Sequence, residues 1–76
     1  PDYSIIEIDS PNEWCNKTMK ELNLRSKYGI NVIAIKRNHD VNISPYADDQ
    51  IQEGDIIVAI GLSEDLNRLE FKISSK

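Results

Sequence analysis

The feature that most constrains this chain is the run Gly29 to Arg37, "GINVIAIKR". From Ile30 to Lys36 it is apolar at both parities, with Ile30, Val32 and Ala34 on one side and Ile33 and Ile35 on the other. A strand of that kind sits inside a sheet or is covered on both faces. The chain has 76 residues, and a domain of that size buries about 60% of the surface its unfolded form exposes. Its own helices can cover one face. The second face is expected to take its cover from a symmetric copy of the same chain. Two polar features stand out against this core-like run: the amide of Asn31 near its start and the cations Lys36 and Arg37 at its end.

The rest of the chain fits a small α+β domain. "YSIIEID" reads as a first strand, and Pro11 stops it. From Glu13 to Tyr28 the pattern turns helical, either as one helix or as two short ones with a break near Asn23. Gly29 is suited to end the helix in the left-handed conformation. "RNHD" has turn chemistry, "VNIS" is a short strand ended by Pro45, and "YADDQIQEGD" is polar and loop-like. "IIVAIG" is a second buried strand. Ser63 offers an N-cap for a terminal helix over "SEDLNRL", and "EFKI" is available as a last strand. The expected order is β, α, β, β, β, α and a possible final β, forming a mixed or antiparallel sheet with helices packed on it.

Residues 1–76 form a single domain. The chain opens on Pro1 and is expected to be a piece of a longer protein. It shows no apolar run long enough to span a bilayer. Cys15 is the only cysteine, which excludes an internal disulfide and argues against a zinc site. The single histidine, His39, has no partner nucleophile, no glycine-rich phosphate loop follows a strand, and the adjacent Asp48 and Asp49 sit in a loop. No catalytic or metal-binding constellation emerges. The formal net charge of −4 speaks against binding a nucleic-acid polymer. Yet between Lys17 and Arg37 six cations face Glu21 alone. A local basic patch on an acidic domain suits a small anion.

Three segments, "SPNEWCNKTMKEL", "LRSKYGINVIAIKR" and "NISPYADDQIQEGDIIVAIGLSEDLNRL", resemble the RCK C-terminal, or TrkA-C, domain across nearly the whole chain. The most specific parts are the strand from Gly29 to Arg37, the later Pro45, and the G-D-x-x-x-x-x-G strand from Gly54 to Gly61. The likeness is strongest to the regulatory subunits of Ktr-type bacterial potassium uptake. One departure is Asn16 where such domains often carry glycine.

The resemblance implies a TrkA-C fold, a two-fold dimer, and a missing N-terminal Rossmann lobe. It implies a cytoplasmic regulatory domain, peripherally associated with a membrane-embedded potassium-translocating subunit, that binds cyclic di-AMP at its dimer interface and inhibits uptake. The alternative is a TrkA-C dimerisation module of another transporter or channel that senses a different small anion or metal. With a two-fold symmetric ligand on a two-fold axis, each subunit contributes the same residues. Arg25 is the expected phosphate ligand, because a planar guanidinium bonds two oxygens at once. Asn31 offers an amide to a phosphate or a base edge. Leu24, Ile30, Val32 and Pro45 are expected as apolar walls for the adenines, and His39 as a stacking or donor group. Lys36 and Arg37 are left as the rim of the patch, solvated or ion-paired rather than ligating.

Overall fold

The computed structural model describes residues 2–74. Four strands form one antiparallel sheet in the order β1-β4-β2-β3. β1 (Tyr3–Asp9) alternates exposed and half-buried residues along its length and pairs with β4 (Ile56–Leu62) at all seven positions. β4 in turn pairs with β2 (Ile30–Arg37), and β2 turns through Asn38 and His39 into the short β3 (Asp40–Ile43). No helix of the described residues is long and apolar enough to cross a membrane.

The helical segment between β1 and β2 is broken, as the sequence allowed. A 3-10 turn (Asn12–Trp14) buries Trp14 against Tyr28, with ring centroids 6.2 Å apart. α1 (Met19–Leu22) starts on a capping box in which the Thr18 hydroxyl accepts from the Glu21 N–H, while the Glu21 carboxylate accepts from the Thr18 N–H. The Thr18 N–H and the Thr18 hydroxyl both donate to the Glu21 carboxylate, and they hold it below the usual carboxylate range. Asn23 then takes the left-handed conformation, φ 48° and ψ 48°, and separates α1 from α2 (Leu24–Tyr28). Gly29, φ 73°, ends α2 as expected and passes the chain straight into β2.

Two expectations are corrected. The β2 parity does not run through the strand: its register shifts between Val32 and Ala34, so Ile33 is an extra residue bulged out of the ladder. Ile30, Val32 and Ile35 therefore share the core face, and Ala34 crosses to the other. The strand apolar on both faces is instead β4, the partner of both β1 and β2. Ile57 and Ala59 are fully buried inward, while Ile56, Val58 and Ile60 point outward. The second correction is at the end of the chain. "EFKI" belongs to α3 (Ser63–Ser74), not to a strand. Leu66, Leu69 and Ile73 recur at helical spacing and pack on the core, which carries the helix beyond "SEDLNRL" through residues 70–73.

All three α-helices lie on one face of the sheet, over a core that includes Trp14, Leu22, Leu24, Ile30, Ile35, Ile57 and Leu66. The loop 44–55 is less free than its polar composition suggests. Ile51 is fully buried, and backbone hydrogen bonds tie Ala47, Asp49 and Ile51 to residues 16–20 at the head of α1. The opposite sheet face is bare, with Tyr3, Ile5, Val41 and Ile43 53–74% exposed.

Candidate ligand groove

β4 pairs with β2 from Ile30 to Lys36, whereas β3 pairs with β2 only from Ala34 onward. The outer edge of residues 30–32 therefore has no strand partner among the described residues. α1, α2 and the loop after β3 close around that edge and leave a groove of about 540 Å3. Ile30 and Val32 lie at its base, Met19 and Leu24 come from the helices, and Pro45 and Ala47 come from the loop. Its polar lining is Lys20, Asn23, Arg25 and Asn31.

Two properties set this groove apart. No carboxylate lines it, although the chain carries a net charge of −4. Four further grooves each include at least one acid: Asp2 and Glu64, Asp65, Glu53, or Glu13. Second, its four polar side chains have no hydrogen-bond or ion-pair partner among the described residues, whereas the sheet cations Lys36 and Arg37 are ion-paired. Unpartnered donors gathered over apolar walls, with no acid to neutralise them, can receive an anion that also carries flat apolar surface.

The groove brings together six of the seven expected residues: Leu24, Arg25, Ile30, Asn31, Val32 and Pro45. Leu24 and Ile30 are core residues first, 4% and 1% exposed, and show the groove little more than an edge. Arg25 and Asn31 are exposed and form a ridge, because they also line a second groove with Tyr3, Gly29, Gly61 and Asp65. The structure does not bring His39 to the groove within one chain. It sits in the β2–β3 turn, beyond the far end of a strand on which Asn31 to Arg37 alone spans about 20 Å.

Lys36 and Arg37 have structural employment. The Lys36 ammonium meets Glu7 at 3.1 Å on the bare face of the sheet. Arg37 makes a two-pronged contact with the buried Asp55: Nε and Nη2 each donate to a carboxylate oxygen at 2.8 Å, and Nη2 also donates to the Gln50 carbonyl. Asp55 further accepts from the Gln52 N–H at 2.8 Å. The Arg37 hydrogen bonds hold the Asp55 carboxyl below its ordinary range, and the same contact raises Arg37. This clasp joins the end of β2 to the turn that feeds β4. It uses the last residue of one sequence motif and the Asp of the other.

Sequence reasoning missed Met19, Lys20, Asn23 and Ala47 as groove residues. Lys20 lay within the basic window and Asn23 at the suspected helix break, so both carried a signal. Met19 and Ala47 carried none, because their place depends on how the loop folds back on α1.

Comparison with known proteins bears on the fold and the family. The TrkA-C domain family model matches residues 3–73. The Ktr system potassium uptake protein C of Bacillus subtilis is 38% identical over 72 residues, covering 95% of this chain and 33% of that protein. The chain thus spans about a third of the length of this curated relative. Among solved structures, the RCK C domain of the potassium transport protein KtrA, in complex with cyclic di-AMP, superposes with a TM-score of 0.85. It is 39% identical, over 95% of this chain and 85% of that one. The RCK_C domain dimer of S. agalactiae BusR, also in complex with cyclic di-AMP, gives a TM-score of 0.79 at 25% identity, over 92% and 89% of the two chains.

Proposed function

The chain belongs to the TrkA-C domain family, and from that premise we propose that it is the ligand-sensing lobe of a potassium-transport regulator that binds cyclic di-AMP between two copies of itself. The observation that carries the reading is the acid-free groove beside the unpaired edge of β2, with its unpartnered donors Arg25 and Asn31. Two relatives of the same fold were solved with that ligand, one of them as a dimer, which supports the assignment.

In this reading each Arg25 guanidinium donates to one phosphate, and each Asn31 amide donates to the same phosphate or to the base. Val32 and Pro45, with the exposed edges of Leu24 and Ile30, flank an adenine. His39 reaches ligand only from a second copy. The bound ligand favours whichever arrangement of the parent assembly brings two lobes to the ligand's own spacing, since a ligand shifts an equilibrium only by its differential affinity for the states. The parent is a cytoplasmic subunit that acts on a membrane-embedded potassium-translocating partner, and ligand binding reduces uptake.

Calorimetric titration of the domain with cyclic di-AMP tests this directly. The expected result is one ligand per two chains with micromolar affinity or better, about 8 kcal/mol. Adenosine triphosphate, which lacks the two-fold symmetry, should bind far more weakly. Absence of heat at high ligand concentration, or one ligand per chain, would sink the shared-cleft reading.

A further inference from the structure

We infer that Asn23 selects the base of the ligand, by presenting its side-chain amide to the six-position edge of a purine held in the groove. This rests on the proposed cyclic dinucleotide site and names what gives it base specificity.

The backbone of Asn23 is fully employed. Its N–H donates to the Met19 carbonyl, and its own carbonyl accepts from the Lys27 N–H. These bonds fix the Cα at the junction of α1 and α2. Its side chain is exposed, lines the groove and makes no capping hydrogen bond. The left-handed backbone, φ 48° and ψ 48°, restricts this position to glycine, asparagine, aspartate and few others. Of glycine, asparagine and aspartate, asparagine alone carries both a donor and an acceptor on one planar group.

That pairing is the one adenine requires. An amide donates through Nδ2 to N7 of adenine and accepts through Oδ1 from its 6-amino group. A purine with a 6-carbonyl presents acceptors at both positions and leaves Oδ1 facing oxygen. Position supports the role. Asn23 lies two residues before Arg25 and shares the groove with Val32 and Pro45. With a phosphate held by Arg25, a base lying between the apolar walls occupies the same groove that the Asn23 amide lines. Lys20, the other polar group from α1, has no acceptor and cannot make this distinction.

The test compares cyclic di-AMP with cyclic di-IMP, whose bases carry a 6-carbonyl in place of the 6-amino group. Titrations use the parent domain and Asn23→Gly, which keeps the left-handed backbone and removes the amide. The parent is expected to prefer cyclic di-AMP by about tenfold or more. Asn23→Gly should melt no lower than the parent and bind the two ligands with nearly equal affinity. Asn23→Asp gives a second reading: it keeps the size and the left-handed tolerance but sets an acceptor against N7 of either purine, so both affinities should fall while the preference for the 6-amino ligand is kept, because a carboxylate oxygen still accepts from that amino group. Retained preference in folded Asn23→Gly, or a parent that binds both ligands alike, overturns the role of Asn23 and leaves the groove standing. A parent that binds neither ligand overturns the groove and this inference together.

Discussion

Arg25 and Arg37 carry the same charge and do different work, which the sequence alone could not separate. Arg37 is spent on Asp55, while Arg25 has no partner among the described residues and lines the groove. Arg25→Ala should therefore weaken cyclic di-AMP binding without weakening the fold. Each charge-assisted contact is worth roughly 1.5–3 kcal/mol, so losing one from each subunit predicts about a hundredfold or more, if the two add. Arg25→Lys should recover part of this, since lysine has the charge without the fork. Lys27→Ala, a cation of the same helix that lines a different groove, is the control. Arg68 serves less well, because it pairs with Asp65, which shares a groove with Arg25. Titration calorimetry and thermal melting of the three variants check these outcomes. Asp55 gives the opposite pattern. Its folded pKa is depressed by Arg37, so its contribution to stability is complete above the ordinary value near 3.9 and is lost as pH falls through the lower folded value. Asp55→Asn should cost about 1–2 kcal/mol at pH 7, a modest figure because Arg37 is half exposed and can be solvated. The urea curves of variant and parent should draw together as pH falls below the ordinary carboxylate value and through the lower folded one, and ligand affinity at neutral pH should hold.

The elements were legible wherever one local rule decided them. Alternation placed β1 and glycine placed the end of α2, while imperfect helical spacing left one helix or two open until the structure showed the break at Asn23. What was not legible depended on pairing. The bulge at Ile33 follows from the registers of β3 and β4 against β2, and no residue in "INVIAIKR" announces it. The burial of Ile51, which turns an apparently loose loop into a wall of the groove, depends on backbone bonds to residues 16–20. Five of the six groove residues that were found, Leu24, Arg25, Ile30, Asn31 and Val32, lie on α2 and the start of β2, which the glycine turn makes contiguous in sequence; Pro45 came from the family resemblance. Gly61 shows how tightly β4 supports that unit. A Cβ there would stand 3.1 Å from the Gly29 carbonyl oxygen and 3.4 Å from Ile30 Cγ2. Gly61→Ala must push the helix-to-strand turn away from β4, an overpacking expected to cost about 1–3 kcal/mol. Because that turn lies between Arg25 and Asn31, ligand affinity should fall along with the melting temperature. A variant that melts like the parent and binds like it would show that the turn yields freely.

At the scale of the whole molecule, the sheet is covered by helices on one face alone. On the other, Tyr3 and Ile5 of β1 and Val41 and Ile43 of β3 are exposed around the outward residues of β4. The Lys36–Glu7 pair crosses β4 on this face, so the apolar surface is interrupted by one matched pair of charges. Exposed apolar surface of that extent on so small a domain marks an association surface, and its junction with the groove at Asn31 suits a ligand shared between copies. The isolated domain is therefore expected to sediment as a dimer at micromolar concentration. Ile5→Lys tests the surface without touching the core, because Ile5 is 60% exposed in the single chain. The variant should keep the parent's secondary structure by circular dichroism and shift toward monomer in sedimentation equilibrium. It should also bind cyclic di-AMP more weakly, since dimerisation must then be driven by the ligand. Saturating ligand should restore part of the dimer by mass action, as any ligand does that binds one state in preference to another. If Ile5→Lys is monomeric and still takes up one ligand per chain with the parent's affinity, each groove is a complete site by itself. Ligand binding and assembly would then be uncoupled in this domain.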